Sequence, residues 1–180
     1  MKKAFVILTV FFFLGGLFVA AQPAGKKWEV GGSISFTSFK FSGATESDSV
    51  FNLPVRVGYF IWQGLEIEPE VMYTKFSGDD AAYVLSANVA YNFKMSRPIL
   101  PFVLGGVGFG NGFTYAGVAE GDPDLNAFTL QFGVGAKFLI GSSAAFRVEY
   151  RFTRNHLTET GFEPENLNSH QFLLGASVFF

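Results

Sequence analysis

Two short runs of charge are the first places to look for chemistry. Glu66, Glu68 and Glu70 form one, and Arg147, Glu149 and Arg151 the other, each with a spacing of two. Arg56 and Lys137 stand alone, each between two apolar neighbours. On a β-strand a spacing of two puts side chains on one face, so the runs are polar stripes of mixed sign. Such stripes either lock together as a closed ionic network or line a path for ions. An unpaired buried charge costs about 3–5 kcal/mol. That cost favours reciprocal pairing of Glu66, Glu68, Glu70 and Glu149 with Arg56, Lys137, Arg147 and Arg151.

Other reactive groups are sparse. His156 and His170 are the two histidines, and they lack the constrained spacing of a zinc site. The absence of cysteine excludes a disulfide scaffold and any thiolate metal site. Asp122-Pro123-Asp124-Leu125-Asn126 offers oxygens at positions 1, 3 and 5 of a calcium loop. Ala127 stands where that loop needs Gly, and Gly133 where it needs Glu. These residues therefore read as a solvated turn, and no metal or cofactor is expected. Most of the remaining acids (Glu46, Asp48, Asp79, Asp80, Glu120, Glu159, Glu163 and Glu165) collect between apolar segments, where they stay hydrated. A net charge of −2 without a basic block argues against nucleic acid as a partner.

The elements that must hold these residues are strands. Phe51, Leu53, Val55, Val57, Tyr59 and Ile61 alternate with Asn52, Pro54, Arg56 and Gly58. The same period of two runs through 65–74, 85–93, 128–138, 146–153 and 171–180, giving six amphipathic strands. Two more are less regular. Trp28, Val30, Ile34 and Phe36 hold one parity, but Phe39 and Phe41 switch it, predicting a bulge or strand exit near Ser38. Across 100–110 both faces are apolar or glycine-rich, which leaves the outward face of that strand open.

The N-terminus reads as an export signal over 1–21. Lys2 and Lys3 precede an apolar stretch over 4–19, and Val19 and Ala21 supply small side chains for cleavage before Gln22. A short periplasmic segment, 22–27, and a barrel domain, 28–180, would follow. The connections predict alternation: short turns at 62–64, 94–98 and 141–143, and longer loops at 42–49, 77–82, 111–126 and 157–166. Short turns at one end and long loops at the other are a feature of membrane barrels.

A soluble barrel keeps its apolar faces inside and a membrane barrel turns them out. Mid-strand charges of both signs, few lysines, and Trp28, Tyr59, Trp62, Tyr91, Phe93 and Phe180 near the turn-side ends favour the inverted arrangement. With 24 phenylalanines and a positive mean hydropathy, the chain suits a lipid solvent better than water. Lipid admits only helices and closed barrels, because free strand edges would leave backbone groups unsatisfied.

In these features the chain resembles the small eight-stranded outer-membrane β-barrel proteins of the OmpA/OmpX type. The export signal, the eight segments, the PFVLGGVGFG stretch and the ending FLLGASVFF carry the resemblance over 28–180. It implies an all-β, antiparallel, up-and-down transmembrane barrel in the bacterial outer membrane but says little about function; a monomer without enzymatic activity is the expectation. Outer-membrane lipids and lipopolysaccharide would surround it, and its loops would meet any external ligand. Phe172, Leu174, Ala176, Val178 and Phe180 resemble the signal read by the barrel-assembly machinery. Some barrels of this kind are lipid A deacylases that use His and Ser at the outer rim of a late strand. Arg154-Asn155-His156-Leu157-Thr158, with Glu159 and Glu163, occupies a comparable place but lacks the His-x-Ser-Asn string. A structural or adhesive role is the expectation; a lipid-modifying enzyme and a narrow ion-conducting barrel are the alternatives.

Overall fold

A computed structural model describes residues 19–20, 25–39, 48–76, 81–94, 98–111, 126–157 and 166–180. Most of the expected export signal therefore lies outside the described residues. Val19 and Ala20 pair with Lys94 and Phe93 as a two-residue ladder.

The alternating segments form eight long strands: β1 (Trp28–Phe39), β2 (Asp48–Trp62), β3 (Leu65–Phe76), β4 (Ala81–Lys94), β5 (Ile99–Asn111), β6 (Ala127–Ile140), β7 (Ala144–Leu157) and β8 (Asn166–Phe179). Each pairs antiparallel with its chain neighbours. β1 also pairs with β8, from Glu29↔Phe179 to Ile34↔Leu174, so the sheet closes on itself. The seam is tightened where the Lys27 amide donates to the Phe180 carbonyl at 2.9 Å and the Phe180 amide donates to the Trp28 carbonyl at 2.9 Å. Every strand thereby has a partner strand on both sides, as a hydrocarbon solvent requires, although the closing ladder spans only Glu29–Ile34 of β1 and Leu174–Phe179 of β8.

The polarity is inverted along the strands. Arg147, Glu149 and Lys137 are fully buried, whereas Trp62 is 70% exposed and Phe172 72%. Val55, Val71, Val89, Val134 and Val178 are exposed around the outer wall. No helix among the described residues is long and apolar enough to cross a membrane, so any crossing is made by strands.

Three features differ from the sequence-based expectation or complete it. Of the two readings near Ser38, a bulge or a strand exit, the structure shows the exit: the β1–β2 ladder keeps one register through Phe39↔Asp48 and the strand ends at Phe39, while Phe41 lies outside the described residues. A register shift occurs instead at Trp62, beside the Gln63-Gly64 turn. That turn and the one at Gly141 each place a glycine in the left-handed region, with φ of 77° and 67°, where it has no Cβ to clash. The connection over 77–80 is no longer than the turn over 95–98, because the β3–β4 ladder runs up to Lys75↔Ala81. On β5, Leu100, Phe102 and Leu104 point inward and Val103, Val107 and Phe109 outward.

Candidate functional site: the ionic core of the bore

Each polar stripe occupies the inner face of its strand, and together they divide the bore into layers. At the turn end Phe60, Ala145 and Phe179 form an apolar floor, with Leu139 packed against it. Ala90, Phe102 and Leu104 form a second apolar patch on the β4–β5 wall. Nine buried charged side chains follow. Amides and hydroxyls fill the rest toward the loop end: Thr74 donates to Asn52 at 2.8 Å, Thr129 to Asn155 at 2.7 Å, and Gln131 to Asn88 at 2.5 Å.

The charged layer is built around two arginine forks. Arg147 donates to both oxygens of Glu68, at 2.9 and 3.2 Å, and through Nε to Glu149 at 3.0 Å. Arg151 grips Glu70 in the same way, at 2.5 and 3.0 Å, and reaches Glu149 from the other side at 2.6 Å. Glu149 is thereby clamped between two guanidinium groups of its own strand. β3 and β7 lie diametrically opposite in the eight-strand order, so both forks span the bore. Bidentate pairing is the strongest geometry an arginine and a carboxylate can form. Phe102 lies under Arg147, with the guanidinium carbon 4.1 Å from the ring centroid.

A second knot lies nearer the turn end. The Lys137 ammonium is 2.5 Å from Glu29, 2.8 Å from Glu66 and 3.5 Å from Glu68. One oxygen from each of these carboxylates lies within 4.8 Å of the others, a spacing that could hold a cation, and the ammonium already fills that place. Asn92 donates to Glu66 at 3.0 Å. Arg56 donates to the Ser33 hydroxyl through Nη2, and its Nη1 lies 3.7 Å from both Glu70 and Glu149.

All eight predicted interior residues (Arg56, Glu66, Glu68, Glu70, Lys137, Arg147, Glu149 and Arg151) therefore meet in one connected cluster. Glu29 is the member that sequence reasoning missed. Its signal was present, since it lies between the outward-facing Trp28 and Val30. Among the described residues the layer thus holds five carboxylates against four cations, and one oxygen each of Glu29 and Glu66 has no hydrogen-bond partner.

The other predicted residues lie elsewhere. Leu174, Val178, Phe172 and Phe180 stand exposed on the outer wall of β8 and its end, and Ala176 shares that face. His156 is on the outer face of β7, while Thr158, Glu159, Glu163 and residues 122–125 lie outside the described residues. His156 is opposite Asn166 and His170 is opposite Phe152. Four steps of about 3.4 Å separate the two histidines along the ladder, too far for one metal ion.

A closed eight-stranded barrel with an apolar exterior and a salt-bridged interior is the architecture of a protein solvated by lipid. The chain matches the outer membrane protein beta-barrel domain over residues 9–180 and belongs to that family. Its fold is similar to that of Neisserial surface protein A (TM-score 0.64, 16% identity, covering 85% of this chain and 96% of that one). It is also similar to the N-terminal β-barrel domain of OprF from Pseudomonas aeruginosa (TM-score 0.57, 14% identity, 86% and 98%). A de novo designed transmembrane β-barrel is similar as well (TM-score 0.53, 14% identity, 90% and 100%). No curated protein sequence matches the chain.

Proposed function

We propose that the protein is a non-enzymatic barrel of the bacterial outer membrane. It closes its own bore and presents the connections over 40–47, 77–80, 112–126 and 158–165 to the exterior, for structural support or adhesion. The observation that carries this reading is the pair of arginine forks across the bore, Arg147–Glu68 and Arg151–Glu70, above an apolar floor. Eight strands leave a lumen that side chains can fill, and here long charged side chains fill it while neutralising one another. A conducting path would have to separate pairs whose desolvation has already been offset by their mutual contacts. Longer connections on the outer side, 77–80 excepted, and shorter turns in the periplasm set the orientation. Residues 1–21 act as a cleaved export signal on this reading, and the outward stripe ending at Phe180 serves barrel assembly.

Purified protein in planar bilayers should show no steady conductance, and cells with and without it should give the same lipid A mass spectra. Discrete single-channel steps abolished by Arg147→Met would replace closure with a gated path. A lost acyl chain in lipid A, restored by His156→Ala, would replace it with an enzyme.

A further inference from the structure

The ionic layer is not balanced by its side chains alone, and the imbalance has a location. Among the described residues Glu68 and Glu70 each lie against two cations and Glu149 against three. Glu29 has Lys137 at 2.5 Å and Arg147 at 3.9 Å. Glu66 has Lys137 alone, at 2.8 Å, and beyond it only the neutral amide of Asn92. The uncompensated negative charge therefore belongs to the Glu29–Glu66 end of the layer.

The individual atoms agree with this placement. Lys137 engages the Oε2 atom of both carboxylates, whereas the Oε1 atoms of both are buried without a hydrogen-bond partner. Gly58 stands directly opposite Glu29 on the β1–β2 ladder and leaves space between the two acids. A Cβ at Gly58 would fall on Glu66 Oε1 and lie 3.2 Å from the Glu29 Cβ, so Glu66 extends its free oxygen beside the Glu29 side chain. Apolar groups close the surroundings: the ammonium is 5.6 Å from the ring centroids of both Phe60 and Phe102, and Phe179 is opposite Glu29 on β8. Two buried anions so placed repel each other, and one proton between them turns the repulsion into a hydrogen bond.

We infer that Glu29 and Glu66 share one proton, which serves as the fifth cation of the layer. The ammonium fills the centre of the Glu29, Glu66 and Glu68 carboxylates, so the remaining positive charge is one that needs no volume of its own. The charged groups facing the pair are Glu68 from β3, Lys137 from β6 and Arg147 from β7; β2, β4 and β8 present Gly58, Asn92 and Phe179, none of them charged. In the unfolded chain both acids are ionised near neutral pH. The folded barrel thus binds one proton more than the unfolded chain, and its stability falls as pH rises until the pair releases that proton. Closure of the bore is firmest on the acid side of neutrality and loosens in alkali. The assignment rests on the closed-bore reading above and adds a proton to it.

The test is infrared spectroscopy of the full barrel in ester-free detergent micelles, read for the carbonyl stretch of a neutral carboxyl group at neutral pH. Wild type should show this band. Glu66→Gln and Glu29→Gln should each abolish it, because either change leaves four carboxylates against four cations and the surviving partner ionises. In urea unfolding between about pH 6 and 9, the wild-type folding constant should fall by up to about tenfold per pH unit relative to either variant, the slope for one proton. Both histidines are common to all three proteins and cancel in that comparison. A wild type without the band, a band that persists in both variants, or parallel pH profiles would overturn the assignment. The wild-type band and its loss on alkaline titration keep the test decisive where a variant does not refold. Planar-bilayer conductance separates the two readings: a conducting barrel with the band loses closure and keeps the proton, whereas a silent barrel without it keeps closure and loses this site.

Discussion

Arg147 is the residue on which the closed bore depends most. It uses three nitrogens on Glu68 and Glu149 and stacks on Phe102. Arg147→Met removes one cation from a buried layer that already has one carboxylate in excess. The orphaned charges should lower stability in micelles by about 3–5 kcal/mol, read from urea unfolding midpoints. Glu66→Gln tests the same balance from the other side. The glutamine carbonyl can still accept from Lys137, and five carboxylates become four against four cations, so a change below about 1 kcal/mol is expected. If Glu66→Gln is as damaging as Arg147→Met, charge balance does not govern this layer. Alternation, read with the mixed sign of the stripes and the scarcity of lysine, placed eight of the nine charged residues inside. Glu29 escaped because Gly31 and Gly32 interrupt the apolar–polar alternation of its segment directly after Val30.

Strands impose a second set of conditions through what they leave out. On β6, a Cβ at Gly135 would lie 2.3 Å from the Val148 carbonyl and 2.6 Å from the Phe102 ring, so the glycine makes room for the aromatic that supports Arg147. Gly135→Ala should cost about 1–3 kcal/mol by overpacking. Adding Phe102→Leu should recover only part of that loss, because the backbone oxygen cannot retreat; full recovery would show that the ring was the sole obstacle. The outward face of β5 was not legible in the sequence for the same reason. Its inner face joins Leu100, Phe102 and Leu104 to glycines, while its outer face is apolar for lipid, so hydropathy cannot tell them apart. The end of β8 joins fold and assembly. Phe180→Ala keeps the backbone bonds to Lys27 and Trp28. It should therefore refold in micelles like wild type while assembling poorly in cells, measured as heat-modifiable protein in the membrane fraction. Equal cellular yield would remove the assembly role.

At the scale of the whole molecule, the solvent decides what a substitution costs. Val134 is mid-strand on β6 and 53% exposed. In a water-soluble barrel an arginine there would be nearly neutral. In lipid, Val134→Arg should destabilise the barrel by roughly 2–4 kcal/mol in bilayer refolding titrations. A negligible effect would mean that the outer wall does not face hydrocarbon. The alternating pattern by itself determined six of the strands and which of their side chains share a face, because a period of two is a local property of extended backbone. The mixed-sign stripes and the scarcity of lysine then indicated which face turns inward. Pairing across the bore was beyond its reach. That Glu68 meets Arg147 and Glu70 meets Arg151 follows from closure of eight strands, which sets β3 opposite β7, and from registers fixed along the whole ladder. Residues so distant along the chain become neighbours only when the sheet bends round to meet its own first strand.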